Sequence, residues 1–338
     1  MFLIISEIYL FLFRTHVKLG NRHKLSVGTE YIVDVLKSQT DNIAKEDAYT
    51  LALFAQDEIK LLRNLQALIG VRYIYHENFK NHATPNVALM YKPGKFNFRA
   101  SYAAGFRTPT LSELYATDIA KKNDRLTIGN LDLKPEKNNY FSLSAEYVHE
   151  RFSVSVNAFY NNIRDMIDYN TIATGDKAME QYGHKEVRQR DNIAEAKVHG
   201  INVSANAYLG AGFNLSGGYT HLNTQDVELE QPIDKSIKNA YNINAQWAHS
   251  WKIYRLNINL NGRINSKRFS KSYGYAPEYQ LWNLNTRHSF NLKSVIIEPG
   301  CGMENLFDYM DDRPYNSNYA TLTPGRSFYI SLSLKFKS

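Results

Sequence analysis

Six side chains stand out for what they could hold. His76, His82 and His184 carry imidazoles, and a neutral imidazole can bind iron. Tyr182, beside His184, could also ligate ferric iron. Arg107 and Tyr115 belong to the run Gly105-Phe106-Arg107-Thr108-Pro109-Thr110-Leu111-Ser112-Glu113-Leu114-Tyr115, where a functional reading sets them on the wall of a binding vestibule. The same run has a plainer reading: Pro109 breaks a strand, Thr110 caps a short helix, and Glu113 completes a capping box. A lone loop histidine is likewise more often solvated than ligating. Patterns for covalent chemistry are missing: the chain has no G-x-S-x-G, no phosphate loop and no H-E-x-x-H. His288 and Ser289 are adjacent, so on a strand they face opposite sides and cannot pair. The single Cys301 excludes an internal disulfide and a cysteine-rich metal site. An enzyme is not expected.

The elements that must position these residues are legible in one rule of alternation. In Tyr254-Arg255-Leu256-Asn257-Ile258-Asn259-Leu260-Asn261-Gly262-Arg263-Ile264-Asn265 one face is apolar and the other carries only Arg and Asn. Similar runs cover Phe96–Tyr102, Phe141–Tyr147, Phe152–Tyr160, Ile201–Leu209, Tyr241–Trp247 and Phe328–Phe336. Near Gly200 the apolar phase shifts by one residue, which predicts a β-bulge. Short turns at Leu19–Arg22, Leu62–Asn64, Pro93–Lys95, His149–Arg151, Leu209–Gly212, Ser250–Lys252 and Leu292–Ser294 alternate with longer polar segments. Those segments are Lys37–Asp47, His76–Ala83, Gly105–Asn138, Asp168–Asn192, Asn223–Asn239, Ser266–Glu278 and Asp308–Pro324.

Strict alternation of short and long connections is what a transmembrane barrel shows, with all long loops at one end. A soluble β-sandwich has no reason to sort its loops this way. The expected fold is therefore all-β, an antiparallel transmembrane β-barrel of about 15 strands. The chain has 338 residues, of which 43% are apolar, and no stretch of 18 uninterrupted apolar residues, so no transmembrane helix is expected. Tyrosine is abundant, with 24 Tyr beside 17 Phe and 3 Trp, and its amphipathic ring suits a membrane–water boundary. Net charge is +7, but Lys and Arg are scattered, with small groups such as Arg188-Gln189-Arg190 in apparent loops; nucleic acid is not an expected partner. Residues 1–21 make an atypical start: apolar, without a preceding Lys or Arg, interrupted by Glu7, and better read as part of a strand than as a signal peptide.

Three segments are more specific: the Gly105–Tyr115 run; Gly129-Asn130-Leu131-Asp132-Leu133-Lys134-Pro135-Glu136-Lys137-Asn138; and Asn305-Leu306-Phe307-Asp308-Tyr309 followed by Pro324-Gly325-Arg326-Ser327-Phe328. Together, over residues 22–338, they resemble the C-terminal part of the barrel of TonB-dependent outer-membrane receptors, of the Bacteroidota type. The resemblance implies a parent barrel of roughly 22 strands with a plugged lumen; the plug domain and its energy-coupling box are not recognisable here. It implies a receptor in the cell outer membrane for energy-coupled uptake of a scarce nutrient complex, an iron complex (haem or a siderophore) before cobalamin, with a passive porin as the alternative. It also implies outer-membrane lipid, a TonB-type energy-transducing protein and a small-molecule metal chelate as partners, and no covalently bound cofactor. Haem receptors of this family carry a ligating His between the first two boxes; residues 107–130 contain none. Arg99, Arg255, Arg263 and many Asn on the polar face would suit an anionic, hydrogen-bonding ligand or simply a hydrated wall.

Overall fold

A computed structural model describes residues 4–38, 43–120, 124–192, 195–271, 273–311 and 319–337. The wall begins with β1 (Ile4–Leu19), β2 (His23–Ser38), β3 (Ile43–Leu62), β4 (Leu65–His76), β5 (Lys80–Tyr91) and β6 (Phe96–Arg107). The chain then leaves the wall for α1 (Leu111–Tyr115), β7 (Thr117–Ala120) and β8 (Arg125–Ile128), and returns in β9 (Glu136–Val148) and β10 (Phe152–Arg164). A second excursion holds β11 (Ile167–Thr174), α2 (Gly175–Tyr182) and β12 (Glu186–Asn192). The wall resumes with β13 (Ala196–Gly210), β14 (Phe213–Asp226), β15 (Asn239–Trp251) and β16 (Tyr254–Asn265). A small hairpin, β17 (Arg268–Ser270) and β18 (Gly274–Ala276), precedes the last wall strands β19 (Tyr279–Asn291), β20 (Val295–Glu304) and β21 (Ser327–Phe336).

Fifteen strands form one antiparallel meander in which each wall strand pairs with the next in the chain. The meander is open: β1 pairs with β2 alone and β21 with β20 alone. Its two ends differ as the loop lengths predict, with short turns at one end and the excursions at the other. Two connections are shorter than expected: of Lys37–Asp47, read as a long segment, Lys37 and Ser38 belong to β2 and residues 43–47 to β3. The segment His76–Ala83, read as a long loop, is a tight turn, because β4 runs to His76 and β5 starts at Lys80. His76, Lys80, Asn81 and His82 belong to the strands, and only residues 77–79 make the turn. The bulge expected at Gly200 is also absent: β13 pairs with β10 in unbroken register through Phe159↔Gly200 and Tyr160↔His199. Gly200 instead leaves room for the Phe159 ring, which a Cβ there would touch. The register shift in this strand lies between Tyr208 and Gly210.

The wall is turned inside out relative to a water-soluble fold. On β5, Val87, Leu89 and Tyr91 are 46%, 45% and 43% exposed, and the same face continues through Leu143 and Val156 on later strands. Leaving such side chains in water forgoes about 1.5–3 kcal/mol for each one that lipid would cover. The opposite face is polar and internally bonded. Ser101 and Ser142 share a hydrogen bond at 2.6 Å, Ser155 and Ser204 one at 2.7 Å, and the Asn244 amide donates to Asn259 and Asn261 at 2.9 and 2.5 Å.

Aromatic rings gather in two bands on the outward face. At the short-turn end Phe96 packs on Tyr147, Tyr147 on Phe152, and Trp251 on Tyr254, at 4.9–5.6 Å between ring centres. Nearer the excursions lie Tyr102 with Phe141 and Tyr219 with Tyr241, at 4.9 and 4.7 Å. Two aromatic girdles flanking an aliphatic band are the arrangement a bilayer selects. None of the described helices is long and apolar enough to cross a membrane; the crossing elements are strands.

Buried apolar residues collect elsewhere, in small clusters beneath the excursions. Leu36, Ala48 and Leu111 form one; Leu114, Leu133 and Ile167 a second; Ala173, Ala178 and Val187 a third. These excursions make a water-facing cap with a core of its own.

Candidate ligand-recognition surface

The first excursion is anchored by a brace at the rim. Thr110 caps α1, accepting from the Glu113 amide, while the Glu113 carboxylate accepts from the Thr110 amide, which is the reciprocal capping box expected from the sequence. Arg107, the last residue of β6, donates to Glu113 at 2.9 Å and forks onto both Glu136 oxygens at 2.6 and 2.7 Å. One guanidinium thus ties the end of β6, the start of β9 and the helix between them. Burial raises the Glu113 carboxyl's pKa, but donation from Arg107 and Thr110 outweighs it, so the group titrates below the ordinary carboxylate range. Gly129 lies against the Leu114 carbonyl with no space for a Cβ, which fixes how the chain leaves α1.

The second excursion is sewn to the first. The strands β11, β12, β8 and β7 make a four-stranded sheet in which β12 and β8 run parallel, the one parallel pairing among the described strands. Asn192 adds side-chain bonds to the carbonyls of Lys134 and Asp165, and Asn130 donates to the Arg190 carbonyl. One face of this sheet is packed: Ala173, Val187 and Leu126 meet Ala178 of α2. Alternation therefore turns Arg125, Thr127, Glu186, Arg188 and Arg190 to the other face. The Arg190 guanidinium lies 3.8 Å from the centre of the Tyr169 ring, a close cation–π stack. Arg188 is tied to Glu186 at 2.5 Å, and the buried Nε of Arg125 has no hydrogen-bond partner.

The six residues singled out from the sequence fall into two groups. His76, His82, Arg107 and Tyr115 surround the 77–79 turn and α1. His76 is 4% exposed, and its Nδ1 accepts from the Asn78 and Phe79 amides, so its proton sits on Nε2. His82 stacks on Phe106 with ring centres 3.7 Å apart and bonds the Phe79 carbonyl. Tyr115 packs against two of the apolar clusters. Tyr182 and His184 lie at the end of α2, where Tyr182 covers the third cluster and His184 Nδ1 is 2.9 Å from Asp124 Oδ1. That hydrogen bond holds the Asp124 carboxyl below its usual range. Among the described residues no three His, Cys, Asp or Glu side chains converge as a metal cage. Sequence reasoning passed over Arg125, Tyr169, Arg188 and Arg190. The Arg188-Gln189-Arg190 spacing was the available signal, since alternate residues on a strand share a face.

Chemically, this face offers guanidinium donors, the fixed forks that match carboxylate oxygens, beside an aromatic ring.

Comparisons with known proteins agree with this architecture. The family model described as TonB dependent receptor-like, beta-barrel matches residues 7–306. The ferric enterobactin receptor of Pseudomonas aeruginosa is 23% identical over 94% of this chain and 49% of its own length, so the chain spans about half of that relative. Among solved structures, the ferric enterobactin receptor of P. aeruginosa superposes with a TM-score of 0.80 at 19% identity, covering 99% of this chain and 54% of the other. The siderophore receptor PirA of P. aeruginosa gives 0.77 at 18% identity, covering 99% and 57%. The copper transporter OprC gives 0.75 at 11%, covering 97% and 57%. With a meander of alternating strands, lipid-type girdles and a family match over most of its length, the chain belongs to the TonB-dependent receptor-like β-barrel family of the outer membrane.

Proposed function

We propose that this chain forms the greater part of the wall and outer cap of an outer-membrane receptor for an anionic iron chelate of the siderophore class. Import would be energised through a TonB-type partner acting on the whole receptor. The observation that carries the reading is the arginine-rich face of the cap sheet, with Arg190 stacked on Tyr169, above a family barrel. A cation–aromatic surface suits a negatively charged, ring-bearing chelate, and one relative has been solved in complex with enterobactin. Haem is the weaker candidate. Among the histidines beside the 77–79 turn, His76 has its Nδ1 committed to backbone amides, and His82 both bonds the Phe79 carbonyl and stacks on Phe106.

The test is direct binding to the chain folded in detergent micelles, read by quenching of tryptophan fluorescence. Ferric enterobactin is expected to bind more tightly than a neutral ferric trihydroxamate, and the double variant Arg188→Ala/Arg190→Ala to weaken it about tenfold, the scale of one or two charge-assisted hydrogen bonds. Equal binding of both chelates, or an unaffected double variant, would overturn the assignment.

A further inference from the structure

The outward face of the wall carries a groove with a charged rim. An apolar furrow of about 600 Å³ runs over β5, β6, β9 and β10, on the side that meets the bilayer. Strand register explains it. Leu89, Ala100, Leu143 and Ala158 lie in one row across the four strands, so two small side chains alternate with two large ones. The row above, with Tyr102, Phe141 and Tyr160, belongs to the upper aromatic girdle. Ala100 and Ala158 leave hollows on either side of Leu143. A hydrocarbon chain lying in them recovers dispersion contacts that the lining otherwise lacks. These strands are flanked on both sides by other wall strands, so every neighbour of this face is present.

Above the girdle the same strands turn basic. Alternation keeps Lys137 and Arg164 on the outward face with Phe141 and Tyr160, and the register sets the two directly opposite each other. On β13, Lys197 stands one step lower, opposite Asn162. From β9 to β13 the three cations span two strand spacings, about 10 Å. Like charges directly opposed destabilise a sheet. Neither Lys137 nor Arg164 has a carboxylate within ion-pair distance among the described residues, and Lys197 has only Glu195, at 3.8 Å. Elsewhere the wall answers its own charge at this level. On β3, Lys45 lies above the girdle ring of Tyr49 and is paired with Asp47 at 3.0 Å. On β14, His221 lies above Tyr219 and is bonded to Asn239. The poorly answered cations thus stand at the upper end of the furrow.

We propose that the furrow and its basic rim bind one lipid of the outer leaflet whose headgroup carries phosphate. An acyl chain lies over Ala100 and Ala158. The rings of Tyr102, Phe141 and Tyr160 mark the hydrocarbon boundary. Lys137, Arg164 and Lys197 donate to the phosphate oxygens. Long basic side chains reach back toward that boundary, because their stems are apolar and their tips are charged. The site is on the lipid side of the wall and does not depend on what the cap recognises.

Native mass spectrometry of the chain folded in detergent micelles counts bound lipid. The probes are lipid A with two phosphates, lipid A stripped of both, and inorganic phosphate as a competitor. The wild type is expected to bind the diphosphorylated form about tenfold more tightly than the stripped form. Lys137→Gln/Arg164→Gln should abolish that preference and leave binding of the stripped form unchanged, which separates charge from misfolding. Lys137→Arg/Arg164→Lys, which keeps both charges, should retain the preference. Ala100→Leu, which fills the furrow, should weaken both forms alike. Equal binding of the two forms by the wild type, or a preference that survives the glutamine variant or is lost in the charge-keeping one, would overturn the site. An Ala100→Leu variant that binds as the wild type does would also overturn it, because the acyl chain would then lie elsewhere. Displacement of the lipid by equimolar inorganic phosphate would reduce the rim to a simple anion site and overturn the lipid assignment.

Discussion

Wall and cap are made of the same chain and obey opposite rules. In the wall, Leu143 is 63% exposed and its neighbour Ser142 is bonded on the inner face. In the cap, Val187 is fully buried while Arg188 and Arg190 lie on the opposite face of the sheet, partly exposed. Polar pairing also differs. The lumen side of β15 and β16 joins amide to amide around Asn244, whereas the rim of the cap is fastened by ion pairs such as Arg107 with Glu113 and Glu136. The difference teaches that burial alone does not identify a core; the surrounding solvent decides which face of an alternating strand is hidden. Lipid hides the wall's apolar face, and the cap must build its own interior from small clusters.

The sharpest way to break this contrast is to put charge on the wall. Leu143→Arg should destabilise the barrel by about 2–4 kcal/mol, the cost of an arginine near the bilayer midplane, while Ser144→Arg on the adjacent inward position stays within about 1 kcal/mol. Unfolding by denaturant from lipid vesicles measures both, and equal penalties would refute the assigned faces. A smaller effect is expected at the brace. Arg107→Ala leaves Glu113 and Glu136 without their shared cation and should cost about 1 kcal/mol, discounted because the guanidinium is 42% exposed. Hydrogen exchange should quicken at residues 108–116 and leave the wall unchanged.

Smallest is the response to acid. Glu113 and Asp124 have folded-state pKa values below their ordinary ones. Their stabilising contribution is therefore complete above the unfolded values of 4.5 and 3.8 and disappears as pH falls through the lower folded values. Exchange in the cap should rise below that range before any change in the girdles, and simultaneous loosening of wall and cap would show that the two are not separate in stability.

Much of the wall was legible because period-two alternation is a strong local signal. Tyr254–Asn265 is a strand with the faces read from its sequence, and the count of about 15 strands agrees with the fifteen-stranded sheet. The capping box at Thr110 and Glu113 was equally local. The 77–79 turn misled because polar residues on a lumen-facing strand look like loop residues. Gly200 misled because β13 leaves the lipid near there: the apolar Val198 and Ala196 turn inward under the cap, so the hydrophobic face changes without a change of register. The cap sheet was illegible for a different reason. Its strands are short, and the pairing of β8 with β12 joins two separate excursions, a relation no local pattern announces. The arginine face depends on that pairing, and so it emerged from the fold alone.

The parallel seam between β8 and β12 also determines how the exterior can yield. Two loops held by one ladder cannot swing as independent flaps; they tilt together or stay still. A protease cutting either loop would leave both stumps clamped to the other, and the outer face would survive the nick in place.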